Sequence, residues 1–119
     1  MSSLEATDQE AAAQAVAPRV SLADIEAAIS LRIDVTGDQI EDVEDLSEAD
    51  LRTLETFSFC LLIMRNGFVV IGKSAPASPE NYRSDLGRKF AYEDAVRQLW
   101  PLMGYALREK LASAQSASA

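Results

Sequence analysis

Apolar residues are distributed along the chain in two different rhythms. Over 22–32, "LADIEAAISLR", Leu22, Ile25, Ala28 and Ile29 recur at three- and four-residue spacing, which predicts a helix. Ser21 precedes it with Asp24 three residues on, the arrangement of a capping box. Over 57–74, "FSFCLLIMRNGFVVIGKS", β-branched and aromatic residues flank Asn66-Gly67, the strongest short signal for a β-hairpin with a two-residue type I′ turn. That turn pairs Arg65 with Phe68, Met64 with Val69, Ile63 with Val70 and Leu62 with Ile71. Phe57, Phe59, Leu61, Ile63, Phe68 and Val70 then share one face. Cys60, Leu62, Met64, Val69 and Ile71 share the other. Both faces are apolar, so both are expected to be covered, because a half-exposed hairpin alternates apolar with polar.

After the break "SAPASPENY", Ser78-Pro79 reads as a helix start, with Ser at the cap and Pro in the first turn. The helix is expected to run to about Leu99, with Leu86, Phe90, Ala91, Ala95, Val96 and Leu99 as its inner stripe. Gly87 inside it points to close packing, a kink or a junction of two helices. Trp100-Pro101 disfavours helix at Trp100. Pro101 opens a last helix to about Ala112, with Leu102, Met103, Ala106, Leu107 and Leu111 apolar. Trp100, Met103 and Tyr105 read as core packing, or else as an interface anchor. The expected fold is α+β: an N-terminal helix, one antiparallel β-hairpin, then C-terminal helices packed on it. It forms a single small domain over 20–112. The stretches 1–17 and 113–119, rich in Ala, Ser and Gln, are expected to be disordered tails.

Charge changes the picture between 34 and 55. Seven acids and no base lie between Asp38 and Asp50. The spacing D-x-[DN]-x-[DN]-G of a calcium loop is missing, so this is expected to be a solvated acidic connector, with Ser47 capping a short helix in "EADLRTLE". The net charge of −8 is uneven: residues 1–55 carry 14 acids against three bases, residues 56–119 five against eight. The basic half is placed to meet an anion, or the acidic half.

Candidate chemistry is sparse. The chain has no His and one Cys. This removes the commonest general base, any internal disulfide and the usual zinc sets, and it suits a reducing compartment. Cys60 reads as a small buried hydrophobe. No P-loop or dinucleotide fingerprint occurs. No membrane span and no basic-then-apolar leader is expected. Neither a cofactor nor a metal is expected, and general nucleic-acid binding sits badly with the acidity.

A candidate ligand site comprises Ser74, Asn81, Tyr82, Arg88, Lys89 and Tyr92, which surround the expected helix start. Helix N-termini attract anions. The alternative is ordinary capping and packing. A candidate interface comprises Phe57, Phe59, Val69 and Ile71. A lone hairpin is marginally stable and its edges are templates for pairing. Burial of an edge or second face in a homo-oligomer, most simply a dimer, is therefore expected.

Residues 66–111 carry Asn-Gly-Phe after a strand, Gly-x-Ser-Ala, Pro-Glu-Asn-aromatic, Gly-Arg-Lys-x-Ala, Trp-Pro-Leu and Gly-Tyr-x-Leu, in that order. With these motifs the chain resembles a family of small proteins of tailed phages and prophages catalogued under two podophage gene products. The family pattern has Glu where this chain has Lys73 and Cys where it has Pro76. The resemblance implies a phage or prophage origin and no particular activity; with the single thiol and no leader expected, the location is read as the cytoplasm of the bacterial host. The reading that follows is an accessory protein that binds or sequesters a host protein or a small anionic ligand without catalysis. The alternatives are a small enzyme acting on a phosphorylated metabolite and an acidic mimic of DNA.

Overall fold

The computed structural model describes residues 3–40 and 44–118. Residues 1, 2 and 119 of the expected tails and 41–43 of the connector lie outside the described residues. The elements are α1 (Ser3–Gln14), α2 (Leu22–Ala28), β1 (Ile29–Thr36), α3 (Glu48–Glu55), β2 (Ser58–Met64), β3 (Val69–Ser74) and α4 (Ser84–Ser118). The fold is α+β. The strands form one antiparallel sheet in the order β1-β2-β3, so the expected hairpin is joined by a third strand.

That third strand replaces the end of the expected helix. α2 keeps the capping box: the Ser21 hydroxyl accepts from the Asp24 N–H at 3.0 Å, and Asp24 accepts from the Ser21 N–H at 2.9 Å. The helix stops at Ala28, not near 32. From Ile29 the sequence alternates apolar with polar, a period of two that suits a strand, and pairing with β2 over Leu31–Thr36 decides the matter.

The hairpin turn is one residue longer than expected. The Gly67 N–H donates to the Met64 carbonyl at 2.9 Å and the Met64 N–H to the Phe68 carbonyl at 2.8 Å. Gly67 has φ +88°, whereas Asn66 has no positive φ. This is a three-residue loop, a turn closed by a glycine bulge, and not type I′. The Asn66 side chain instead accepts from the Phe68 N–H at 3.0 Å. The register moves by one, to Ile63↔Val69, Leu62↔Val70 and Leu61↔Ile71. A one-residue slip turns every side chain of β3 to the other face.

One face now carries Cys60, Leu62, Met64 and Val70, all buried beneath α4 through Ala91, Ala95, Val96 and Leu99. Phe90, expected in that stripe, is instead exposed. Small residues bring the helix close. A side chain at Gly72 would collide with the α4 backbone, and one at Gly87 with the Ser58 side chain. Close packing is therefore the reason for Gly87, which lies in the first turn of α4 and not in mid-helix.

The helix start at Ser78 is a short 3-10 turn, Pro79–Asn81, in which the Ser78 side chain caps nothing. α4 begins at Ser84 and continues past Pro101 to Ser118. The expected break at Trp100 does not occur. The Trp100 indole N–H donates to the Val20 carbonyl at 3.2 Å. Proline removes one N–H from the ladder, but the core on the N-terminal side already fixes the helix axis. Met103 packs on the core, whereas Tyr105 is 70% exposed, so the three do not form one cluster.

Where composition predicts a disordered N-terminal tail, α1 docks. Leu4 is buried, and Asp8 accepts from the Leu22 N–H at 3.0 Å and from Arg19 Nη1 at 2.9 Å. The C-terminal stretch expected as a tail continues α4. In the connector, Ser47 caps α3 by accepting from the Asp50 N–H at 3.0 Å.

Candidate functional site

The six candidate ligand residues do not converge on one site. Ser74, Asn81 and Tyr82 line a cleft of about 160 Å³ with Arg83, Gly87 and Phe90. Its cation, Arg83, is paired with Asp85 at 3.0 Å. Arg88 lines a smaller depression together with Asp34, Ser84 and Tyr82. Lys89 is exposed on α4. Tyr92 lies on the sheet side of α4, where the Arg32 guanidinium stands 4.1 Å over its ring. Burial, and then the Glu26 charge, raise the Tyr92 pKa. The later start of α4 is the cause: the residues were expected around a helix N-terminus at 78, and that terminus lies at 84.

The four candidate interface residues, by contrast, come together. Phe57 and Phe59 stack at 4.6 Å between ring centroids. The shifted register places Val69 and Ile71 on the same side of the sheet as Phe59. β1 adds Leu31, Ile33 and Val35, opposite Ile63, Leu61 and Phe59. β1 is thus inside out. Its aliphatic residues point away from α4, while Arg32 and Asp34, bonded at 3.0 Å, share the side of Cys60 and Leu62. Leu31, Ile33, Val69 and Ile71 are 41–52% exposed. Within the described residues of this chain, α4 covers one side of the sheet, and the other side is the second face for which burial against another copy is expected.

Part of the outer edge of β3 is tied to α4. The Lys73 N–H donates to Asp94 at 2.9 Å, and Gln98 donates to the Ile71 carbonyl at 2.7 Å. Two α4 side chains thus occupy two of the backbone groups that an incoming strand would use.

A hollow lies on the helix side of the sheet, where α4 outruns the hairpin turn. It measures about 440 Å³ and is lined by Ala28, Met64, Phe68, Leu99, Leu102, Met103 and Ala106, with Arg65 and Asn66 at one end. Phe68 and Leu102 form exposed lips, 52% and 47% accessible. Arg65 is held in place by its Nε–H bond to the Ala27 carbonyl at 2.6 Å. This groove was not singled out from the sequence. Its signal is the run Leu102, Met103 and Ala106 beyond Pro101, which continues the α4 stripe where no strand remains beneath it.

Cys60 has no accessible surface. Burial, and then the Asp34 charge, push its thiol up to about 11. Among the described residues, no three Cys, Asp or Glu side chains gather to hold a metal ion. No helix among them is long and apolar enough to cross a membrane.

Comparison with known proteins gives one match. Residues 20–111 fit the profile of the phage protein (N4 Gp49/phage Sf6 gene 66) family. No significant match is found among curated proteins or solved structures.

Proposed function

The chain belongs to this phage protein family, and from that premise we propose that it is an accessory protein that acts by binding and not by catalysis. Its ligand is an amphipathic helical segment of a host protein, seated in the groove between the hairpin turn and α4. The groove itself carries this reading. Its volume of about 440 Å³ falls in the range of pre-formed binding sites. It follows α4 from Leu99 to Ala106, about 10 Å or two helical turns. That length suits an i, i+3, i+4, i+7 set of apolar anchors.

Met64 and Met103 give the lining side chains that adapt to different anchors. Arg65 closes one end, and Lys110 follows Ala106 by one turn on α4, so a segment with a carboxylate beside its apolar stripe is favoured. The raised thiol of Cys60 supports a non-catalytic role, since the thiolate is the reactive form.

The test is site-directed photo-crosslinking in the host. A photoreactive residue replacing Leu102 in the full chain is expected to capture a discrete host protein. Capture should be lost on adding Phe68→Glu, and absent when the probe replaces Ser116. Equal labelling from positions 102 and 116, or labelling indifferent to Phe68→Glu, overturns the groove as the binding seat.

A further inference from the structure

We propose that the other side of the sheet, turned away from α4, is the seat of a second copy of this chain in a two-fold, face-to-face dimer. The first observation is the reversed alternation of β1. A strand at the edge of a sheet that is wetted on one side places polar residues toward water. β1 does the opposite, with Leu31, Ile33 and Val35 outward and Arg32 and Asp34 toward α4. β2 is apolar on both sides and β1 turns its aliphatic side outward, so the sheet carries two apolar sides, and α4 accounts for only one of them.

The second observation is charge. Of the nine paired positions on this face, eight are apolar and one is charged, Lys73, at the corner opposite Phe59. No carboxylate lies among them, although the chain carries a net charge of −8. A basic partner would find nothing on this face to pair with. A second copy meets apolar surface with apolar surface and leaves its acids outside.

Shape favours the same occupant. Twisted sheets pack face to face about 10 Å apart with strands nearly aligned, and a two-fold axis between two copies generates that arrangement. With the axis along β2, Lys73 faces Val35 of the second copy. With the axis across the strands, it faces Val69. In neither case do the two ammonium groups meet. At the β3 edge, Asp94 and Gln98 already hold the Lys73 N–H and the Ile71 carbonyl, which favours contact through the face.

Magnitude sets the strength. Three strands spaced about 4.8 Å apart, with five residues rising about 3.3 Å each, give a footprint of roughly 240 Å² before flanking side chains. Phe57, stacked on Phe59, enlarges it. That remains below the ~800 Å² per partner of a standard interface, so the dimer is expected to dissociate in the micromolar range. The groove lies on the opposite side of the sheet and stays open in the dimer.

The experiment is sedimentation of the full chain over a concentration series. The wild type should pass from 12.9 kDa to twice that mass, without larger species. Raising salt from about 50 to about 500 mM should tighten the association, because it screens the repulsion between two acidic copies. Ile71→Glu should remain monomeric with an unchanged far-UV circular dichroism spectrum. Should Ile71→Glu fail to fold, Ile71→Thr keeps a good strand former and should weaken association at least tenfold. A mass of one chain at every concentration up to about 1 mM overturns the proposal. So does an assembly that salt loosens, or one that survives either substitution at position 71 with its affinity unchanged.

Discussion

Gly72 of β3 lies directly beneath Ala91 of α4, so close that a β-carbon on the glycine would run into the Ala91 carbonyl oxygen and sit 2.5 Å from the Ala95 nitrogen. Both obstacles are helix backbone, which cannot turn aside as a side chain can. Gly72→Ala should therefore lift α4 off the sheet and cost at least ~2 kcal/mol. Chemical denaturation measures this, and a neutral substitution would mean that α4 stands further from β3 than described.

The hairpin turn gives a second prediction of a different kind. Gly67 has φ +88° and open space around its Cα. Gly67→Val should destabilise by about 1–2 kcal/mol through backbone conformation alone. Gly67→Asn should cost less, since Asn tolerates positive φ. Equal losses for the two variants would show that bulk, not φ, is the constraint at this position.

Acid should loosen the N-terminal end first. The Leu22 N–H, and then Arg19, hold the Asp8 carboxyl below its ordinary value of 3.8. The Ser21 N–H, and then the Ser21 hydroxyl, do the same for Asp24. A depressed carboxyl pKa stabilises the fold fully above the unfolded value, and the contribution is lost as pH falls through the folded one. Stability from these two groups should be constant from about pH 8 to pH 5 and decline below about pH 4. In Asp8→Asn/Asp24→Asn that part of the decline should disappear. Emission of the single tryptophan, Trp100, which lines one cavity with Ser3 and Leu4, reports the change.

Cys60 gives a clock for opening of the core. With its thiol pushed up to about 11 and no accessible surface, it should react with a disulfide reagent at about pH 8 only when the α4–sheet contact opens. Labelling should be slow in the native protein and complete at once in denaturant. Reaction of the native protein at the rate of a free thiol would contradict the burial of β2 under α4.

The sequence motifs turn out to record packing more than chemistry. The glycine of Gly-x-Ser-Ala is Gly72, and that of Gly-Arg-Lys is Gly87. At both points a β-carbon would collide across the contact between α4 and the sheet. Asn-Gly-Phe is the bulged turn, and Trp-Pro-Leu carries the indole bond to Val20. The caps at Ser21 and Ser47, the hairpin and the burial of Cys60 were legible because each rests on local chemistry or on a strong strand pattern.

Other features were hidden. Ile25 and Ile29 satisfy a helical stripe and β1 begins with the second of them, so only the pairing partner ends the helix. The turn length is fixed by one hydrogen bond, Met64 N–H to Phe68, and Asn-Gly serves either loop. The groove escaped notice because it is made by the absence of sheet beneath residues 102–106, which no local pattern announces. Position 78 looked like a helix start because Ser-Pro opens a 3-10 turn as readily as an α-helix.

The region shared with the family begins at residue 20, whereas Asp8, which adds a bond to the start of α2 beside the Ser21 cap, sits in a helix that lies wholly before it. The group that Asp8 binds is a backbone N–H, which every residue except proline possesses. The attachment therefore makes no demand on the identity of the side chain at position 22. Together with Arg19 and an apolar seat for Leu4, α1 closes that end of the domain through contacts that ask little of the side chains in the family region.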